Sequence, residues 1–443
     1  MNQTPRDPAA TKNSTSNRRK FLAATTSVSA GLAASTGFHT SAAAQETRSP
    51  SEDLKIALVG AGGRGGGAVD NTLSINSKVA LAAIADIDPD KPGKLRTSMG
   101  RRFEQKVQVS DDRLYDGLDA YKKVLDDDDI DIVMFTTPPG FRPQHILDAV
   151  DAGKHVFAEK PTCIDPHGYR TCLEAHKKAE SNNTAIVTGT QYRRQENYVE
   201  AIRRIHDGAI GNVVGATSRY CSNGIWYRAR RDGMSDTEYQ IYNWMHFIWL
   251  SGDQVAEQAV HNIDLMNWLM KGPPESAFGG GGRFTRPDDS EMWDSVSVDY
   301  QYPGKRFISF KCRQIPGAKG ENGTVIYGSE GNAEIKGGNS GATIWDADGK
   351  EVWSMKGDIG AAYQREHKDL VDSIRDGKPI VELAETANSS LTAVMGRMAA
   401  YTGKEVTWDF VTKESKLQLF PDQIDLKAAR DSGFAIPGKT ELI

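Results

Sequence analysis

The chain has 443 residues, of which 38% are hydrophobic and 26% charged, and its formal net charge is -5. That length exceeds one ordinary core and predicts two domains with extensions, while the mildly acidic balance excludes the basic face that a nucleic-acid partner needs. Cys163, Cys172, Cys221 and Cys312 have neither metal-site spacing nor the pattern of a disulfide framework, and they read as buried thiols.

The N-terminus reads as a targeting segment. Arg18-Arg19-Lys20 precedes a mildly apolar run that ends at Ala42-Ala43-Ala44, a small-residue cleavage pattern. Residues 1–44 therefore resemble a twin-arginine export signal, which places the mature protein in the periplasm or otherwise outside the cytoplasm. The run is short and Ala-rich, so no permanent membrane span is expected. This route carries folded proteins, so a cofactor can be loaded before export, which favours a tightly held one.

Residues 54–59 are a short buried strand that runs directly into Gly60-Ala61-Gly62-Gly63-Arg64-Gly65, a G-x-G-x-x-G. A helix through Val69 and Leu73 follows. Gly60, Gly62, Gly63, Arg64 and Gly65 are thus candidate cofactor-binding residues. The glycines permit a tight turn and close approach to a pyrophosphate, and the helix start offers free N–H groups. A second strand, residues 79–86, ends in Asp86, 21 residues after Gly65. An acid at that offset binds ribose hydroxyls and repels a 2′-phosphate, which predicts NAD over NADP.

Residues 118–125 read as a helix and 126–129 as a solvated acidic turn. A strand over 131–137 stops at Pro138-Pro139, a helix over 145–152 ends at Gly153, and a strand covers 155–158. Repeated strand–helix units of this size mean a parallel sheet covered on both faces. Ligands gather at the carboxyl ends of such strands, where Asp86, Thr137-Pro138 and Glu159-Lys160-Pro161 all fall.

Taken in this order, Gly60 to Gly65, Asp86, Thr137-Pro138 and Glu159-Lys160-Pro161 resemble the Gfo/Idh/MocA family of glucose-fructose oxidoreductase, inositol dehydrogenase and their relatives. The resemblance runs from residue 54 to residue 410. It implies an α/β protein with an N-terminal Rossmann domain over 54–161 and a C-terminal α/β domain over 162–410 with an open, mostly antiparallel sheet. It also implies hydride transfer between a nicotinamide and a sugar or polyol, and a homo-oligomer, dimer or tetramer. Residues 411–443 read as a polar arm that wraps this subunit or a neighbour.

In the second part, a helix over 168–181 and a strand over 185–188 lead to Gly189-Thr190-Gln191-Tyr192-Arg193-Arg194. The resemblance places this stretch at the nicotinamide and the substrate, which makes Gln191 a cofactor candidate and Arg193 a substrate candidate. The residues alone leave Arg193 and Arg194 equally open as surface or interdomain charges. Runs at 213–220, 295–302, 306–312 and 324–327 alternate as half-buried antiparallel strands, and glycines 279–282 read as a strand entry or bulge. Trp226, Tyr227 and Trp244 would suit the C–H faces of a sugar, and would equally suit a core or interface.

Glu257, His261 and Asp264 are spaced i, i+4, i+7, so one helix would set them on one face. Imidazole suits removal of a hydroxyl proton, and a nearby carboxylate can fix its tautomer. On the residues alone, a core or surface histidine is the better reading. The resemblance makes His261 the catalytic base, with Glu257 standing where the family carries Asp, and gives Asp264 a counterpart on the substrate side that reads as orienting or structural. The third and fourth ligands of a metal site are not visible, so no metal is expected. Lysine is protonated at neutral pH, which casts Lys160 as a fixed charge that stabilises a developing alkoxide. Residues 366–376 and 382–401 read as helices and 404–410 as a closing strand.

The function expected is an exported NAD-dependent oxidoreductase acting on a sugar hydroxyl, with a tightly bound cofactor. One alternative is an NAD-dependent glycosidase that works by transient ring oxidation, elimination, water addition and re-reduction. A second is a non-catalytic sugar-binding protein that kept the fold.

Overall fold

A run such as Val79-Ala80-Leu81-Ala82-Ala83-Ile84 is apolar at every position, so it needs cover on both faces. The computed structural model, which describes residues 53–430 and 433–443, provides that cover; the Arg18-Arg19 segment lies outside the described residues. The chain lays down β1 (Leu54–Val59), α1 (Gly63–Ile75), β2 (Val79–Asp86), α2 (Asp90–Arg102), β3 (Leu114–Asp116), α3 (Ala120–Leu125), β4 (Ile132–Phe135), α4 (Arg142–Asp151), β5 (His155–Ala158), α5 (Pro166–Asn182) and β6 (Ile186–Thr188). All six strands pair in parallel, in the order β3-β2-β1-β4-β5-β6. The last of these corrects the sequence reading: the first sheet continues past residue 161, because Val156, Phe157 and Ala158 pair with Ile186, Val187 and Thr188.

The second part contains α6 (Glu196–His206), β7 (Val213–Ser222), α7 (Asp236–Tyr242), α8 (Ile248–Ser251), α9 (Asp253–Glu257), α10 (Val260–Met270), β8 (Ser276–Gly282), β9 (Ser295–Tyr302), β10 (Arg306–Gln314), β11 (Glu321–Gly328), β12 (Gly331–Lys336), β13 (Gly341–Asp346), β14 (Glu351–Met355), α11 (Ile359–Arg375), α12 (Leu383–Thr402) and β15 (Val406–Thr407). Its nine strands run β14-β13-β12-β11-β7-β10-β9-β8-β15. β7 and β10 are parallel and the other pairs antiparallel. The alternation in β9 and β10 turns Val296, Val298, Tyr300, Ile308 and Phe310 inward. It leaves Phe307, and Phe278 of β8, 54% and 60% exposed.

Three sequence expectations change here. Glycines 279–282 are neither an entry nor a bulge but the end of β8, in unbroken register with β9, where Cβ atoms on Gly279 and Gly281 would collide with the β9 backbone. The closing strand over 404–410 shrinks to Val406–Thr407, because a π-helical turn at Phe410–Glu414 takes the chain out of the sheet. The helix carrying Glu257, His261 and Asp264 is two helices, α9 and α10, broken at Gln258 and Ala259.

The late helices fasten the two parts together. On α12, Thr386 Oγ1 lies 2.7 Å from Thr188 Oγ1, Ser390 Oγ accepts from the Thr162 N–H at 3.1 Å, and the buried Arg397 donates to the carbonyls of Gly252 and Ile164. On α11, which packs along α1, His367 Nδ1 lies 3.0 Å from Thr72 Oγ1. Glu366, one residue earlier, is fully buried, and neither of its carboxyl oxygens finds a hydrogen-bond partner among the described residues. Burial first, and the charge of Glu159 second, push its pKa well above the glutamate range. Cys163, Cys172, Cys221 and Cys312 are buried and unbridged. Among the described residues no helix is long and apolar enough to cross a membrane.

Two stability outcomes are expected. Gly396 sits under the Tyr300 hydroxyl, with ring Cζ 2.8 Å from where a Cβ would stand. Gly396→Ala should cost about 1–3 kcal/mol in urea unfolding through overpacking, and adding Tyr300→Phe should restore only part of it. Glu366 keeps its proton in the folded protein above the pH at which the unfolded chain releases it, so stability contributed there falls as pH rises beyond the ordinary glutamate range. Glu366→Gln should therefore raise Tm at pH 8 more than at pH 5, as read by calorimetry.

Candidate active site

The site forms where strand ends of the first sheet meet α9 and α10. Gly60 has φ +103°, and a Cβ there would lie 2.9 Å from the Thr136–Thr137 backbone, so only glycine allows β1 to turn this close to β4. A Cβ on Gly65 would collide with the Gly60 carbonyl, whereas Gly62 and Gly63 have open space where a side chain would be. No side chain caps the start of α1 at Gly62, so its first N–H groups face that space.

Asp86 ends β2 in the same cleft. Its carboxylate accepts from the Ala61 N–H at 2.7 Å and the Asp88 N–H at 2.9 Å, and pairs with Lys91 at 3.2 Å. The cleft is lined by Gly60, Gly62, Asp86, Thr137, Pro138, Phe141 and His145 from the first part, and by Ile241 and Trp244 from the second. Thr137 Oγ1 is a buried polar atom there without a partner among the described residues. A bare glycine cradle, an uncapped helix start, an acid at the next strand end and an orphaned hydroxyl are the donors and space that a dinucleotide fills. NAD therefore fits these residues.

Beyond the loop, Arg64 Nε donates to Glu159 Oε1 at 2.5 Å, and its guanidinium lies 4.7 Å from the Tyr363 ring centre. Burial alone would raise the pKa of Glu159, but the charges of Arg64, Lys160 and Arg142 outweigh it and hold the carboxyl below its usual range. Arg142 was not foreseen from the sequence. Buried at the start of α4, it donates to the carbonyls of Thr137 at 2.6 Å and Pro161 at 2.8 Å, tying the segments that follow β4 and β5. Burial pushes its pKa down to about 10.

Lys160 Nζ donates to the Glu257 carbonyl at 2.5 Å and to Glu257 Oε1 at 3.0 Å. The other Glu257 oxygen accepts from Gln258 Nε2 at 2.8 Å, and Gln258 Oε1 accepts from the Tyr220 hydroxyl at 3.0 Å. The Glu257 carboxylate thus holds Lys160 and Gln258, not the His261 tautomer. His261 packs against Tyr192 with ring centres 5.3 Å apart, and its ring nitrogens receive no hydrogen bond from the described residues. Its desolvation, and after it the charges of Lys160 and Arg64, hold its pKa well below the ordinary histidine value. At neutral pH it is an uncharged imidazole with a free lone pair.

Other candidates stand elsewhere. The Asp264 carboxylate is buried and takes a bidentate pair from Arg193, at 2.8 and 2.9 Å, and a hydrogen bond from Ser389 at 2.7 Å. Arg193 also pairs with Glu385 at 2.7 Å, and Arg194 with Glu382 at 2.7 Å. Arg193 and Asp264 therefore bind each other and α12, which matches the orienting or structural reading of Asp264 and the interdomain alternative for Arg193. Gln191 donates to the Tyr363 hydroxyl at 3.2 Å. Trp226 is 37% exposed, and the Tyr227 hydroxyl meets that of Tyr239 at 2.8 Å. Trp244 lines the cleft at Asp86, whose walls include none of Lys160, Glu257 or His261. Gln258 and Tyr192 were legible only as neighbours of singled-out residues, and Tyr363 carried no sequence signal. Among the described residues no cluster of three His, Cys, Asp or Glu could hold a metal.

Residues 54–188 match the oxidoreductase family GFO_IDH_MocA with its NAD-binding Rossmann fold, and residues 198–334 match the GFO/IDH/MocA C-terminal domain. An uncharacterized oxidoreductase of Streptococcus pneumoniae is 25% identical over 235 residues, 53% of this chain and 59% of that protein. Inositol 2-dehydrogenase of Rubrobacter xylanophilus is 22% identical over 289 residues, 65% of this chain and 73% of that one. Alpha-N-acetylgalactosaminidase of Shewanella oneidensis is 24% identical over 223 residues, 47% of each chain. The matched stretches thus span roughly half to three-quarters of these relatives. A structure of levoglucosan dehydrogenase with NADH and levoglucosan shares the fold, with a TM-score of 0.63 at 18% identity over 80% of this chain and 99% of that one. With both domain types matched and in this order, the chain belongs to the Gfo/Idh/MocA family of NAD-binding oxidoreductases.

Proposed function

We propose that the protein oxidises or reduces a hydroxyl carbon of a sugar or sugar derivative, using NAD. The observation that carries this reading is the contact of Lys160, at the end of the strand that closes the dinucleotide cradle, with Glu257, one helix break before His261. Bound NAD would supply a hydride acceptor or donor at the substrate carbon. Every other role falls to the chain. An ammonium has three donors, and Glu257 takes two of those on Lys160, which leaves one for the substrate oxygen. His261 accepts the hydroxyl proton at a ring nitrogen. Lys160 stabilises the negative charge left on that oxygen.

A second reading, redox-assisted glycoside cleavage, uses the same residues and is favoured by the likeness to a galactosaminidase. The proposal includes export through the twin-arginine route, supported by Arg18-Arg19 and the small-residue pattern Ala42-Ala43-Ala44. It also includes a homo-oligomer, supported by the exposed Phe278 and Phe307 on the outer sheet face; light scattering of purified protein reads its size directly.

Protein denatured after purification should release NAD, and a panel of sugars should reduce it. Aryl glycosides cleaved in deuterated water with ring-carbon deuterium and no net NADH would instead select the second reading. Lys160→Met should keep fold and nucleotide while losing at least about 100-fold in kcat, the scale of one lost oxyanion contact; full activity would remove Lys160 from the chemistry. The His261 pKa is depressed well below the ordinary histidine value, so the rate should hold through that range and fall with acidification only at lower pH, where the base becomes protonated. Lys160→Met removes one of the charges that depress it, so the His261 titration followed by NMR should move upward in that variant.

A further inference from the structure

We propose that the second domain supplies an adenosine roof, with Trp244 as the adenine contact, and that the C-terminal arm is the strap that holds it down. The inference rests on the NAD reading and names residues that reading leaves unassigned. Trp244 and Ile241 are half-buried and line the cleft that holds Gly60, Asp86 and Thr137, so they face the ribose-binding end of the cradle. An indole beside a ribose-binding acid offers a stacking face to a purine.

The roof is braced within itself. The Arg228 guanidinium lies 4.1 Å from the Trp226 ring centre and 5.0 Å from that of Tyr242, and Trp226 meets Trp244 edge-on at 6.1 Å. The buried Asn243 amide accepts from the Arg228 N–H at 3.0 Å and donates to its carbonyl at 2.5 Å, which laces the exposed loop to the residue before Trp244. Ser235 and Glu238 cap α7, the helix that carries Ile241.

The arm then ties this unit to the first domain. The Ser235 hydroxyl donates to the Leu426 carbonyl, the Thr237 hydroxyl to that of Ala428 at 3.1 Å, and Lys427 pairs with Glu238 at 2.5 Å. Upstream on the arm, Phe420 packs on Phe141 at 4.8 Å and Trp249 at 5.7 Å, and Asp165 accepts the Leu419 N–H at 2.7 Å. Gly140 has no room for a Cβ beneath the Phe420 ring. Phe141 is itself part of the cleft wall. Lifting the roof to release a nucleotide thus requires breaking contacts of the arm, and exchange is slow for that reason.

The test uses the full chain, stripped of nucleotide and titrated calorimetrically with ADP-ribose and, separately, with nicotinamide mononucleotide. Trp244→Ala should weaken ADP-ribose by about tenfold or more, the effect of losing one base stack, while Trp244→Phe retains most of the affinity. Nicotinamide mononucleotide should bind both variants as it binds the parent. Phe420→Ala should speed NAD release, read by chasing with excess ADP-ribose, with circular dichroism confirming the fold. Unchanged ADP-ribose affinity in Trp244→Ala, or an equal loss for both half-ligands, would overturn the adenine contact; unchanged release in Phe420→Ala would overturn the strap. A parent that binds neither ADP-ribose nor NAD would overturn the NAD reading itself and the roof with it.

Discussion

A lysine ammonium in a largely desolvated cleft must have its donors satisfied, and Lys160 does this with a single residue of the other domain. It uses both the carboxylate and the main-chain carbonyl of Glu257. The carbonyl is available only because α9 ends there. In an unbroken helix that oxygen would accept the N–H of His261, four residues on. The break at Gln258 and Ala259, which removes the even i, i+4 face, is therefore what lets the strand end of one domain seize the helix end of the other. Lys160 and Glu257 come together only in the docked arrangement.

That pairing sets the electrostatics around it. Arg64, Arg142 and Lys160 crowd the end of β5, and their combined charge outweighs the burial of Glu159 and keeps it ionised. Two carboxyl groups thus stand near one guanidinium with opposite fates. Glu159 receives the hydrogen bond of Arg64, while Glu366, at 3.8 Å and without a hydrogen bond, keeps its proton. Burial first, and the charges of Lys160 and Arg64 after it, hold the His261 pKa well below the ordinary histidine value, which favours the neutral form a base needs. The carboxylate expected to tune that histidine is occupied elsewhere, and desolvation, with the repulsion of two cations added to it, shifts the ring instead.

The first sheet was legible because its signals are local. A glycine turn, an acid at a strand end and a proline after a lysine each act on the residues beside them, and β2 and β5 fall on the residues read for them. The second domain was less so. Strands β12 to β14 are short and polar on one face, and the π-turn at Phe410 that cuts short the last strand has no composition signal. For Arg193 and Asp264 the sequence gives charge but not partner. A bidentate pair buried under α12 joins residues more than 70 positions apart in sequence, and only the fold brings them within 2.9 Å. The tryptophans are the clearest case. An indole suits a sugar face, a purine face or a core equally well, so Trp244 had to be placed in space before its wall of the cleft could be known.

The position of the roof bears on the choice between the two chemistries. On the proposed roof and strap, a nucleotide under Trp244 would exchange only when the arm opens, which disfavours its use as a freely exchanged substrate. A nucleotide retained in that way would be restored in place, either by a second sugar that returns the hydride or by the same sugar before it leaves. The second route fits glycoside cleavage, in which oxidation is undone within one turnover. The roles proposed for Lys160 and His261 suit either route, because both would begin by taking the same proton from the same hydroxyl. What separates the two lies away from that pair, in how fast the adenosine end is released relative to turnover.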